Sequence, residues 1–231
     1  MKPEKLQFDL LESLLWTPED GYFLLQRHID RLLRSVEYFG MAVGKTAVVD
    51  ALMTETHSLT EPSKVRLTVN SEQLTVNSVS LSDGVGQLPE PIRIGLAIEP
   101  IQSDNVYLYH KTTQRQVYAE ALASRPDCDD VVLWNERGEV TEVSSSNIVV
   151  ELGGELWTPP VSSGLLAGTF REELLENGLR QAQAPLGQAQ IPQANGRLQE
   201  KVILKDELLL ADAIFLINSV RGWRTAKIID K

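Results

Sequence analysis

The sequence predicts an α+β chain of two domains: a small N-terminal α+β domain over residues 1–100 and a larger, more β-rich domain over 101–231. Three observations predict it. Short alternating apolar segments bracketed by turn residues recur along the chain, as half-buried strands require. One long stretch, residues 28–39, carries apolar residues at helical spacing. The pattern also breaks at about residues 98–106, after which strand segments become shorter and more closely spaced.

Each element has its own signal. Residues 6–16 alternate as a strand, Thr17-Pro18-Glu19-Asp20-Gly21 is turn chemistry, and Tyr22 to Leu25 reads as a return strand. Ile29, Leu32, Leu33, Val36 and Phe39 form the stripe of the 28–39 helix, which Gly40 can stop. A second helix is expected over 46–57 and strands over 64–70 and 73–80. Pro89-Glu90-Pro91 then breaks the pattern before a strand from Ile92 to Ile98. In the second half, helices are expected over 113–124, 170–178 and 206–211. Strands are expected over 130–134, 139–143, 147–152, 155–158, 213–218 and 223–229. Residues 180–197, rich in Gln, Ala and Pro, read as a helix end and a loop.

The bulk properties narrow the function classes. The chain has 231 residues, 42% hydrophobic and 23% charged, enough apolar material for a real core. Its formal net charge of −10 argues against nucleic acid or an anionic membrane surface as the main partner. An anionic small molecule is compatible if cations converge locally. Cys128 is the only cysteine, so no intrachain disulfide forms, and it lies among acids that disfavour a thiolate. His28, His57 and His110 show no metal-ligand spacing with one another. The N-terminal residues lack the apolar run of a signal peptide and no segment is long enough to span a bilayer, so a cytoplasmic location is expected.

Five segments could carry chemistry. Lys111 has the make-up of a Schiff-base lysine, with the cation of Arg115 one turn on to favour its neutral form. Glu142 follows a tight turn and a short strand, a rigid place for the carboxylate that keeps a pyridine nitrogen protonated. Ser144, Ser145 and Ser146 follow it with hydroxyls and backbone N–H groups for an anion. Thr169 and Glu172 match a capping box behind Gly168, which would present the N–H groups of Thr169 and Phe170 at a helix start. Asn218-Ser219-Val220-Arg221-Gly222 follows an apolar strand, with Ser219 as hydroxyl donor. Arg31 lies beside the stripe of the first helix and could reach a phosphate or pair with an acid such as Glu37. Each segment alone has an ordinary structural reading: a surface lysine, a polar turn, a capped helix, a plain loop, a surface ion pair. Together they suggest a site for pyridoxal phosphate.

The order and spacing of these pieces resemble the class IV aminotransferases, the fold-type IV pyridoxal-phosphate enzymes. The resemblance runs from about residue 8 to the C-terminus. It rests on Arg27-His28…Arg31-Leu32, Lys111, Thr141-Glu142…Asn147, Thr158-Pro159-Pro160, Gly164-Leu165-Leu166-Ala167-Gly168…Arg171 and Asn218-Ser219. It implies a two-domain fold like that of D-amino-acid aminotransferase, with the cofactor at the domain interface, and a homodimer. It implies that Lys111 is the Schiff-base lysine, that Glu142 pairs with the pyridine nitrogen, and that Arg31, Thr169, Phe170, Ser219 and Val220 hold the phosphate. Ser144, Ser145 and Ser146 would border the ligand. Phe170 stands where many members have threonine, and Gln116 where many have a tyrosine, with Tyr118 two residues on. Many members also carry another strand before the segment matching Leu11-Glu12-Ser13.

Within the family, the wording of 110–118, 133–139 and 218–224 is similar to 4-amino-4-deoxychorismate lyase-like proteins, especially those fused behind a para-aminobenzoate synthase component. The resemblance therefore implies release of para-aminobenzoate and pyruvate, in folate supply, from a small anionic amino-acid-like substrate. Arg66, Arg115, Ser146 and Arg221 are candidate contacts for its carboxylates. A branched-chain or D-amino-acid transaminase, and a non-catalytic folate-pathway module of the same fold, are the alternatives. The first shares every cofactor residue; the second is opposed by the presence of both Lys111 and Glu142.

Overall fold

A computed structural model describes residues 8–82, 88–179 and 197–229. Residues 180–196, most of the expected helix end and loop, lie outside the described residues. The chain divides into two compact units, the described parts of Met1–Gln87 with His110–Gln114, and those of Leu88–Tyr109 with Arg115–Lys231.

The first unit is a four-stranded antiparallel sheet with two helices. Its strands are β1 (Leu10–Thr17), β2 (Gly21–Tyr22), β3 (Ser63–Val69) and β4 (Leu74–Ser80), in the order β2-β1-β3-β4. Helix α1 (Leu25–Tyr38) lies against β1 and helix α2 (Lys45–Thr56) against β4. The expected return strand over Tyr22–Leu25 is cut short, because Leu24 takes a left-handed backbone (φ 53°) and α1 begins at the next residue. Gly40 ends α1 as expected: its φ of 65° lets its N–H return to the Glu37 carbonyl at 3.2 Å.

Side chains two apart on a strand share a face. On β3, Val65, Leu67 and Val69 are buried while Lys64 and Arg66 are exposed. Glu12 on β1 lies opposite Leu67, between Leu10 opposite Val69 and Leu14 opposite Val65. A carboxylate thus occupies a row of otherwise apolar buried side chains.

The second unit is built on an eight-stranded sheet. Its strands are β5 (Ile92–Leu96), β6 (Asp130–Trp134), β7 (Val140–Val143), β8 (Asn147–Leu152), β9 (Glu155–Thr158), β10 (Gln199–Glu200), β11 (Ala213–Asn218) and β12 (Gly222–Ile228). The order is β10-β9-β8-β11-β12-β5-β6-β7, and β7 also pairs with β8. Six strands therefore close on themselves, which removes the free edge that β7 would otherwise present. Ile92, Ile94, Val132, Ile148, Val150, Ile214 and Leu216 form one core. The alternate residues of β6, Val131 and Leu133, join Tyr118 and Leu108 in a second one, packed against α3 (Gln116–Ser124). Burial on both faces explains why β6 reads as a continuous apolar run.

The unit boundary differs from the expected one at residue 100. Strand β5 pairs with β6 and β12, so it belongs to the second unit. Residues 110–114 belong to the first, because they pair with β1.

Candidate active site

The residues expected to act together fall into a cluster within each unit. In the first, Lys111 does not begin a helix. Its segment runs extended along the part of the β1 edge that β2 leaves uncovered. Leu11 N–H donates to the Lys111 carbonyl at 2.9 Å, Leu10 bridges Thr112, and Thr113 N–H donates to the Asp9 carbonyl at 2.9 Å. The helix expected from 113 starts only at Gln116, since Thr112 and Thr113 are committed to this pairing. His110 Nδ1 and Ser35 Oγ on α1 are 2.8 Å apart, and the His110 ring packs against Tyr38 and Phe39 with centroids at 4.5 and 4.9 Å. Lys111 is thereby flanked by two anchored neighbours.

Arg31 is buried rather than superficial, and its partner is Glu12 instead of Glu37. Arg31 Nε donates to Glu12 Oε1 at 2.9 Å and Nη2 to Oε2 at 2.6 Å. His28, one turn before Arg31, shares Glu12 Oε2 at 2.7 Å. Burial by itself would raise the Glu12 carboxyl, but the Arg31 charge and the His28 hydrogen bond outweigh it and hold the group at about 2. Burial lowers the His28 imidazole despite Glu12, and the nearby Lys111 charge acts the same way. A neutral His28 donating Nδ1–H to an ionised Glu12 satisfies both. Arg66 stands apart from this cluster, on the exposed face of β3.

In the second unit, Glu142 lies directly opposite Asn147 across the β7–β8 hairpin, the two strands being joined through Ser144–Ser146. The Glu142 carboxylate is buried and accepts from Tyr118 Oη at 2.7 Å, Leu166 N–H at 3.2 Å and Asn147 Nδ2 at 3.3 Å. These donors offset the cost of burying a carboxylate. Asn147 Nδ2 also donates to the Leu166 carbonyl at 2.9 Å, tying the 164–168 loop to β8. This explains Gly168. Its φ of −70° suits any residue, but a Cβ there would collide with Asn147 Oδ1.

The capping box does not form. Helix α4 (Thr169–Asn177) takes Gly168 as its N-cap, without a side-chain cap, and Thr169 is already the first helical residue. Extended backbone at Gly168 makes it the N-cap, one position earlier than the capping box requires. Thr169 and Phe170 nevertheless open the helix, as expected, and both are buried. Arg171 donates to the Pro159 carbonyl at 2.7 Å and pairs with Glu200. Trp223 Nε1, on a ring packed edge-on to Phe170 with centroids 6.3 Å apart, is a buried donor with no acceptor among the described residues.

The turn after β11 sits beside the serine turn. Asn218 Nδ2 donates to Ser146 Oγ at 2.9 Å and to the Ser145 carbonyl at 3.4 Å. Asn218 Oδ1 in turn accepts the N–H groups of Val220 and Arg221, at 3.0 and 2.8 Å. The Val220 N–H is therefore engaged within its own turn, and Ser219 beside it is buried. Arg115 donates to the Ser144 carbonyl and lies over the Tyr118 ring at 4.3 Å. It is held in place within the unit, whereas burial lowers the Arg221 guanidinium, followed in effect by the charge of Arg224. Glu12, Tyr118 and Asn147 are the polar partners that sequence reasoning did not assign. Glu12 could have been found as an acid in an otherwise apolar strand.

Each cluster by itself offers group types that pyridoxal phosphate uses: a lysine and a braced arginine in the first unit, and a buried carboxylate, a helix start and a serine turn in the second. A family model described as amino-transferase class IV matches residues 9–229. The chain belongs to that family. A provisionally named aminodeoxychorismate lyase of Schizosaccharomyces pombe is 30% identical over 176 residues, 74% of each protein. Among solved structures, a provisionally named amino-acid aminotransferase from Mesorhizobium loti is similar, with 28% identity and a TM-score of 0.80 over 96% of this chain and 100% of that one. A hypothetical aminotransferase from Mycobacterium tuberculosis, solved in a PLP-bound form, shares the fold at 18% identity and a TM-score of 0.75, over 96% of this chain and 81% of that one. The two-unit architecture is that of the class IV aminotransferases.

Proposed function

We propose that this chain is a pyridoxal-phosphate-dependent lyase that converts 4-amino-4-deoxychorismate to para-aminobenzoate and pyruvate. The observation that carries the cofactor part is a buried carboxylate, Glu142, held by three donors from different elements. The S. pombe relative supports the lyase part.

When bound, the cofactor supplies an aldehyde that captures an amine and a ring that accepts electrons from the adjacent carbon. Lys111 Nζ would hold the aldehyde and, once displaced by the substrate amine, move the proton from the carbon bearing nitrogen. Glu142 would hold a proton at the ring nitrogen. Arg31, the α4 start at Thr169 and Phe170, and Ser219 would hold the phosphate. Ser144 to Ser146 and Arg221 would face the substrate carboxylates. In this reading the protein serves folate supply in the cytoplasm as a homodimer.

The likeness to the M. loti aminotransferase favours a second reading, transamination. One assay separates them. Purified protein with added pyridoxal phosphate and 4-amino-4-deoxychorismate should release pyruvate and para-aminobenzoate in equal amounts, and Lys111→Ala should release neither. Cofactor binding without either product, together with amino-acid-dependent formation of the pyridoxamine form, would establish the transaminase instead.

A further inference from the structure

We propose that Tyr118, seated by Arg115, is a positioning residue for Glu142, and sets the orientation in which that carboxylate meets a ring nitrogen. The proposal rests on the cofactor reading above. Tyr118 lies on the first turn of α3, its ring in the core between α3 and β6 and its hydroxyl 2.7 Å from Glu142 Oε1. The Leu166 N–H converges on the same oxygen at 3.2 Å, while Asn147 Nδ2 reaches Oε2. A carboxylate gripped at one oxygen by two donors cannot rotate about its terminal bond without losing both, so the direction of Oε2 is fixed. Burial and the Glu142 charge raise the Tyr118 phenol well above its ordinary range, so it remains a donor throughout the working pH range.

Arg115 makes the arrangement rigid from the other side. Its guanidinium lies over the Tyr118 ring at 4.3 Å and is itself fastened to the Ser144 carbonyl, at the turn that immediately follows β7. The serine turn, the arginine, the tyrosine and Glu142 thus form a closed chain of contacts. Arg115 is the N-cap of α3 and Tyr118 lies three residues on, which lets the guanidinium cover the ring.

The test compares pyridoxal phosphate with its 1-deaza analogue, in which carbon replaces the ring nitrogen while the aldehyde and phosphate remain. Dissociation constants are measured by direct titration for the unmodified protein and for Tyr118→Phe, which keeps the ring and removes only the hydroxyl. We expect the unmodified protein to prefer pyridoxal phosphate. In Tyr118→Phe its affinity should fall about tenfold, the scale of one hydrogen bond to a charged group, with the deaza analogue changed less than about twofold. Equal weakening of both ligands, or of neither, would overturn the proposal. If the unmodified protein binds both alike, the assignment of Glu142 to the ring nitrogen fails first and takes the proposal with it. Should Tyr118→Phe not fold, Arg115→Met is read by the same ratio: a selective fall of a few-fold supports the pair, and an unchanged ratio overturns it.

Discussion

Glu12 shows how much one side chain depends on its neighbours. It is 1% exposed, opposite leucine and flanked by leucines two residues away, yet it carries a charge because Arg31 and His28 meet it. Its folded value of about 2 lies below the ordinary carboxyl value of 4.5. It therefore adds stability that is fully present above about pH 4.5 and is lost as the pH falls toward 2. Glu12→Gln would leave the Arg31 charge buried with a neutral partner, at a cost of about 3–5 kcal/mol at pH 7. Urea unfolding should show that deficit at pH 7 and a smaller one at pH 3, where the unmodified protein has begun to lose the same contribution. The sequence presents Arg31 as a phosphate-facing candidate but not this partner. Nineteen residues separate the two, and only the docking of α1 on β1 brings them together.

At the scale of elements, most strands and helices were legible, because alternation and helical spacing report burial directly. β6, β8, β9 and β11 have the bounds that their apolar runs predict. The differences lie where a long-range contact decides. Tyr22–Leu25 yields to a helix start, and residues 112–113 yield to β1. The turn after β11 is likewise organised from inside and outside by one side chain, Asn218, which engages Ser145, Ser146, Val220 and Arg221. Asn218→Ala should cost about 1–3 kcal/mol. Hydrogen exchange should localise the effect, with the Val220 and Arg221 amides losing protection while those of the central strands β8 and β12 keep theirs.

At the scale of the molecule, the two-unit division was readable from the break in pattern near residue 100, but its course was not. A composition shift marks where segments change character, whereas membership in a unit follows strand pairing: β5 joins β6 and β12, and residues 110–114 join β1. Assembly belongs to this scale as well. The homodimer proposed from the family resemblance would give twice the chain mass of 25.7 kDa in light scattering, and a single chain mass at micromolar concentration would refute it.

The pairing of residues 110–114 with β1 also orders events during synthesis. A ribosome delivers β1 some hundred residues before the segment whose carbonyl its Leu11 amide needs. Until that segment emerges, the nascent first unit carries an open strand edge next to Glu12 and Arg31, and it can be sealed only by the stretch that brings Lys111. The last stitch of the first unit and the arrival of Lys111, the lysine proposed to hold the cofactor, are one event, so a ribosome-stalled chain ending before residue 110 would have neither.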